Sequence, residues 1–412
     1  MTPNQQDTNH SIATSTTPKL GSPAQAFGEL VATSLASDPR FYLFSPDETT
    51  SNRLDAAYNV SERAWSLPRE QWDLPEATSG HIVELLSENV LFATMLGHIM
   101  SGEPGIMTSY EAFFNIITSQ LVQHIKFLQQ SSAVSWRMAC PAINLLSTST
   151  CWRQDHNGFS HQSPLLISTL LSLPSNRVNC LFPVDDTSAI ATYHFMQHSK
   201  NVVNLTTFNK DPLPRWIDYD HAEFQLKNGG ASIFAFASHA TPEQVLATEP
   251  DFIFTAAGDI VTTEALAAME ILHQDMPSLK IRFVGLTALS YNAIGTTNNP
   301  LPHTTFEQYF PAGKPIIANF HGYPATLAQI LSRYTHPSRI LVHGFSDHGT
   351  TTTPFEMLSL NQASRYHLCL DVAHRLKRAD LVDKYRNIIT RNSAHAKSTS
   401  LDLPECTFVP HF

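Results

Sequence analysis

The chain has 412 residues, room for two or three domains of about 100–200 residues each. It carries 26 Lys and Arg against 36 Asp and Glu, a formal net charge of −10, which argues against an extended nucleic-acid surface and against a polybasic membrane patch. With 42% hydrophobic and 15% charged residues the chain reads as globular, and no run approaches the roughly 20 apolar residues of a membrane span.

Residues 1–25 are rich in Ser, Thr, Asn and Gln and are expected to form a disordered tail. The opening MTPNQQDTNHSIATSTTPK has neither the basic nor the apolar region of a secretory signal. Helical patterning starts near Phe27 with Leu30, Val31 and Leu35. Short apolar runs then read as buried strands: Pro141–Ser149, Arg177–Val184 and Asn201–Phe208, with a helix over Thr187–His198. The signal repeats at Asp251–Ala257, Lys280–Leu286, Pro315–Phe320 and Arg339–Val342, with helices over Thr262–His273 and Pro324–Tyr334. One long helix is expected from about Pro354 to Arg378, capped by the threonines of Thr350–Thr353, with Pro354 in its first turn. Polar stretches at Lys227–Gly230 and Asn298–Thr305 read as loops. Strands alternating with helices imply an α/β protein of two domains, with mainly parallel sheets flanked by helices.

Five cysteines, with no C-x-x-C pair, speak against a disulfide scaffold or a zinc knot and for a reducing, cytoplasmic setting. In open α/β sheets ligands sit beyond the carboxyl ends of the strands, so polar loops there are the natural site candidates. SPDETTSNR (45–53), the stretch Ser87–Tyr110, WRQDHNGFSHQ (152–162) and GFSDHGTTTTP (344–354) are such segments. His156 and His161 could ligate a metal, yet neither HExxH nor a cysteine at ligand spacing accompanies them, so no metal ligand is expected. Glu88 in LLSEN sits where a helix starts, with Ser87 as a plausible cap. Neither GxxxxGK[ST] nor GxGxxG occurs, which removes the main support for a P-loop or dinucleotide fold.

SPDETTSNRL (45–54), TSYEAF (108–113), WRQDHNGFSHQ (152–162), FHGYP (320–324) and GTTTTPFEM (349–357) together resemble the signature segments of phosphoketolases, thiamine-diphosphate enzymes of the transketolase superfamily. The five strings stand in the family's order, and the similarity runs from about Phe41 to Arg378. The resemblance implies a pyrimidine-binding domain over 26–212 and a transketolase C-terminal-like domain over 213–412. It implies cleavage of xylulose 5-phosphate or fructose 6-phosphate with inorganic phosphate, giving acetyl phosphate and an aldose phosphate. Glu88 matches the glutamate that bonds the cofactor's N1′ atom and promotes its imino tautomer. Tyr110 and Phe113 match the aromatic residues of the aminopyrimidine pocket. Gln154 and His161 match polar groups that transfer protons at the reacting carbons. Ser51, Arg53, His156, Asn157 and Lys210 resemble the sugar-phosphate site.

The sequence departs from the family's pattern at NVLFAT (89–94), at Gly102–Gly105, near Ser132–Ala133, where the family has an arginine, and at SDHG (346–349). Similarity covers only the family's second half. The first half holds the diphosphate and Mg²⁺ through a Gly-Asp-Gly motif; the nearest string here, Gly258-Asp259, continues with Ile260 and ends a predicted strand. The resemblance therefore implies thiamine diphosphate whose Mg²⁺ comes through a partner: a diphosphate-binding half or a full-length phosphoketolase, in an oligomer. The alternative is a catalytically inactive phosphoketolase-like interaction or regulatory protein.

Overall fold

A computed structural model describes residues 19–46, 48–346, 351–410 and 412. Its larger sheet has ten strands. Tyr42–Ser45, Gly105–Tyr110, Ile143–Thr148 and Val203–Thr207 lie side by side in that order, all parallel. Val178–Leu181 flanks Val203–Thr207 and Ile82–Glu84 flanks Tyr42–Ser45, again in parallel. The central strands are buried along their length, except for half-buried Tyr110 at the end of Gly105–Tyr110, as a sheet covered on both faces requires. The second sheet has five strands: Phe252–Ala257, Ile281–Leu286, Ile316–Phe320 and Ile340–His343 are parallel, and Ala231–Ile233 adds an antiparallel edge. The α/β architecture with mainly parallel sheets is thus the one expected.

The two halves share a sheet. Ala288–Ser290 lies far beyond residue 213, yet it pairs antiparallel with Val178–Leu181, with Ala288 opposite Leu181, and Ala293–Ile294 extends it. Polar orphans inside the larger sheet are answered by one another: Asn179 Nδ2 donates to Asn204 Oδ1 and Asn204 Nδ2 to Asn144 Oδ1, both at 2.9 Å.

Three expectations need correction. The part of the tail before residue 19 lies outside the described residues, but Leu20–Gly21 pairs with Leu213–Pro214, and a helix runs over Pro23–Ser37. Ser22 caps that helix, and Phe27, fully buried, meets Tyr193 edge-on at 4.9 Å and Phe208 at 5.4 Å. A composition that looked too polar to order is held by this apolar stripe two residues further on. Secondly, the long helix from Pro354 is two helices, Pro354–Leu360 and Arg365–Arg375, followed by a third over Ala379–Thr399. Asn361 turns its amide back onto the Met357 carbonyl at 2.8 Å, and Gln362 adopts a left-handed φ of 55°, which ends the first helix. Arg365 then starts the next one as half of a buried ion pair with Glu264 at 2.6 Å. Thr353 does cap the first of these helices, accepting the Glu356 N–H, while Thr350 lies outside the described residues. Thirdly, the polar stretch Asn298–Thr305 is not all loop, because a helix starts at His303.

Gly258 needs its glycine. Its φ is 119°, and a Cβ there would stand 2.7 Å from the His321 Cβ. This close approach lets the helix Asp259–Asp275 start directly under the strand end that carries His321. Among the described residues no helix is long and apolar enough to cross a membrane.

Candidate functional site

The carboxyl ends of Tyr42–Ser45, Gly105–Tyr110 and Ile143–Thr148 lie along one edge of the larger sheet, because the three strands are parallel neighbours. The loops that leave these ends are the polar segments singled out above. Glu88 opens the helix Glu88–Met100 on the same edge, half-buried, and accepts a hydrogen bond from Ser109 Oγ at 3.5 Å. Its place in the first turn suits a carboxylate, although the Ser87 side chain makes no cap bond.

Tyr110 is the hub. Its ring is nearly parallel to that of Phe113, with centroids 5.9 Å apart, and the His161 ring stands 5.1 Å from Phe113. The Tyr110 hydroxyl donates to Ser51 Oγ at 3.0 Å, and Lys210 Nζ sits 5.0 Å above the ring. Arg53, at a left-handed φ of 63°, shares with Lys210 a cleft of about 460 Å³ whose wall also includes Ser22 and Gln25, with Glu29 and Asp55 beside them. Burial and the neighbouring Arg53 push the Lys210 ammonium below its usual range. An anionic ligand would relieve that repulsion.

The structure brings Glu88, Ser51, Arg53, Tyr110, Phe113, His161 and Lys210 together along one edge. Gln154 is buried in the following loop, where its carbonyl accepts the Gln162 amide at 2.8 Å. His156 and Asn157 are exposed on that loop and make no side-chain hydrogen bond to the cluster among the described residues. At the head of the loop, Ser149, at a φ of 50°, and Thr150 bury hydroxyls that have no partner among the described residues. Polar groups left free at a sheet edge fit a polar ligand.

Two features escaped the sequence reading although both lie in strings it quoted. Glu48 Oε2 accepts the Tyr110 backbone N–H at 3.1 Å. Burial, with Glu88 as a like-charged neighbour, raises its carboxyl to about 7, against the backbone and Asn52 hydrogen bonds. The other is a buried joint between the halves. His321 Nε2 meets Glu111 Oε1 at 2.7 Å, while Glu111 Oε2 takes the Cys151 N–H at 2.7 Å. Trp152 Nε1 donates to the His321 carbonyl at 2.9 Å. Asp259, fully buried, accepts the Asn209 N–H at 2.6 Å, so Gly258-Asp259 is a structural element of this joint. Burial works against the charged form of His321, but Glu111 and Asp259 outweigh it and hold its pKa above the usual value. Burial raises Asp259. Potential ligand atoms of Glu111, Cys151 and His321 lie within 4.8 Å of one another. Because Glu111 already bonds both His321 and the Cys151 backbone, the trio reads as a hydrogen-bonded joint. It anchors the loop 151–162 from the far half of the chain.

Residues 25–199 match the family model described as D-xylulose 5-phosphate/D-fructose 6-phosphate phosphoketolase, and residues 210–410 match the model of its C-terminal domain. The chain belongs to the phosphoketolase family. It is 36% identical over 383 residues to a probable phosphoketolase of Rhodopseudomonas palustris (strain TIE-1), covering 92% of this chain and 48% of that relative. It is 35% identical over 376 residues to a probable phosphoketolase of Pediococcus pentosaceus, covering 89% and 47%. The chain therefore spans about half the length of the curated phosphoketolases it matches. Among solved structures, a transketolase of Pichia stipitis superposes with a TM-score of 0.64 at 14% identity, over 90% of this chain and 48% of that one. A split-gene transketolase, described as an inactive beta4 tetramer, superposes with a TM-score of 0.58 at 14% identity, over 86% of this chain and 98% of that one. These likenesses show a transketolase-like fold.

Proposed function

We propose that this chain supplies the aminopyrimidine and sugar-phosphate wall of a phosphoketolase site. The reaction is cleavage of xylulose 5-phosphate or fructose 6-phosphate with inorganic phosphate, giving acetyl phosphate and an aldose phosphate. A second chain supplies the diphosphate and Mg²⁺ wall. The observation that carries this reading is the convergence, on one sheet edge, of a helix-start carboxylate, a stacked aromatic pair, an imidazole and a cleft that holds Arg53 and Lys210. The wall is also rimmed by apolar side chains turned to solvent: Leu86 is 84% exposed, Phe159 76% and Val90 55%. Such a rim around polar chemistry suits a covering protein body. The split-gene transketolase, nearly all of whose chain is matched here, supports a partner chain as its source.

The residues fit the cofactor. Thiamine diphosphate, when bound, supplies the carbanion chemistry. Glu88 would hold the proton at the N1′ side of the aminopyrimidine, and the Tyr110–Phe113 pair would receive its flat face. Gln154 and His161 would orient the sugar at the reacting carbons and move protons there. Arg53 and Lys210, with Ser51, His156 and Asn157, would bind the sugar's phosphate dianion. A protonated Glu48 beside Glu88 would limit like-charge repulsion in the pocket.

The test is an acetyl phosphate assay on the purified chain with xylulose 5-phosphate, phosphate, thiamine diphosphate and Mg²⁺, with and without a phosphoketolase diphosphate-binding half. Activity is expected only in the mixture, and E88Q should abolish it. Turnover by the chain alone would overturn the shared site, and an active E88Q mixture would remove Glu88 from the proton-handling role. A second reading, an inactive subunit that docks on a full-length phosphoketolase, draws on the NVLFAT run, whose Leu91 and Phe92 are packed as core. Stable association with no activity in any mixture would favour it.

A further inference from the structure

We propose that His239, Glu270 and His273 form a binding site for one divalent transition-metal ion of the zinc class, on the second half of the chain and separate from the proposed phosphoketolase wall. Glu270 and His273 stand three residues apart on the helix Asp259–Asp275, a spacing that puts them on one face. His239 reaches them from the end of the short turn Ala235–Ser238, where it holds a left-handed φ of 50°. That conformation is uncommon outside glycine, and it aims the imidazole at the helix.

One potential ligand atom from each of the three residues lies within 4.8 Å of the others. His239 Nε2 and Glu270 Oε2 are 3.3 Å apart, long for a charge-assisted hydrogen bond. Two ligands at the about 2.0–2.1 Å bond lengths of zinc stand about 3.3 Å apart along a tetrahedral edge, so this pair has that spacing. Glu270 is steadied from behind, its Oε1 accepting the Gln274 amide at 2.9 Å. His273 Nδ1 is buried and has no hydrogen-bond partner among the described residues. A cleft of about 470 Å³ opens beside the trio, lined by His239, Gln244, His273 and Lys280, leaving a fourth position for water or a small anion. Two imidazoles and one carboxylate suit Zn²⁺ better than Mg²⁺ or Ca²⁺, which prefer all-oxygen sets.

The test titrates the chelator-stripped chain with Zn²⁺ alone, in competition with a chromophoric chelator. One saturable equivalent is expected, at least about tenfold tighter than background binding to the chain's other histidines, and at least about tenfold weaker in H273A and in E270Q. Zn²⁺ should raise the melting temperature of the natural chain but not of H239Q, a variant that keeps the size and polarity of the turn. Co²⁺ should give the intense visible absorption of a tetrahedral site. An equivalent that survives in the H239Q/H273A double variant, or the absence of any saturable equivalent, would overturn the proposal. The readout is metal binding by this chain, so failure of the phosphoketolase reading leaves it standing, and the reverse.

Discussion

Tyr110 and Glu111 are neighbours in sequence, yet their side chains belong to two opposite kinds of polar cluster. Tyr110 faces the open wall, with Ser51, Phe113, His161 and Lys210 around a ring that solvent can reach. Glu111 enters a dry joint, bonded to His321 and to the Cys151 backbone, with Asp259 nearby. One peptide unit at the end of a strand serves both. The comparison teaches a division of labour. In the joint both Glu111 oxygens find partners within the protein and fix geometry, although His321 Nδ1 has none among the described residues. The wall leaves the Ser149 and Thr150 hydroxyls without a partner among the described residues at a sheet edge, as the proposed binding role would need.

Breaking the joint should have the largest effect. Replacing His321 by Ala leaves Glu111 buried and unpaired, a loss expected to cost about 3–5 kcal/mol of unfolding free energy, read by denaturant titration. A cost below about 1 kcal/mol would mean that the joint is not the anchor described here. The second effect has the opposite sign. Glu48 is raised from the usual 4.5 to about 7, so the folded chain holds this proton more tightly than the unfolded one, and stability falls as pH rises through that interval. Glu48→Gln should remove the fall and stabilise the chain at pH 8 by about 2 kcal/mol, with a flatter pH profile. A destabilised E48Q would show that the wall does not strain this carboxyl.

The pH dependence of the joint sharpens the contrast. The His321 pKa is raised, so the stability it contributes is fully present below its unfolded value near 6.5 and is lost as pH rises through the folded value. The gap in unfolding free energy between the natural chain and His321→Gln should narrow toward high pH; a gap that widened would refute the charged pairing. The smallest effect is expected at the wall itself. Glu88→Gln should change stability by no more than about 0.5 kcal/mol while removing activity from the reconstituted mixture. A large stability loss would place Glu88 with the joint.

The residues of the proposed wall were legible because short strings such as TSYEAF and WRQDHNGFSHQ resemble family segments; patterning alone marked the strand Ile143–Thr148 but not Gly105–Tyr110. The joint was not, since Glu111 and His321 lie 210 positions apart and only the shared fold brings them together. Glu48 stood inside a quoted string, but its perturbation comes from burial and from Glu88, neither of which local sequence displays. The break at Asn361–Ser364 was hidden because its determinants are a left-handed residue and a distant carboxylate, Glu264. The hairpin Ala288–Ile294 was missed because its partner strand lies more than a hundred residues earlier.

All five cysteines are buried and none is in a disulfide, and burial raises the thiol pKa of Cys180, Cys369 and Cys406. The native chain should therefore be slow to react with thiol reagents near neutral pH. Cys151, beside Glu111, would label only when the loop lifts away from His321. Its alkylation rate is then a clock for opening of the joint, readable by mass spectrometry without any substrate or partner.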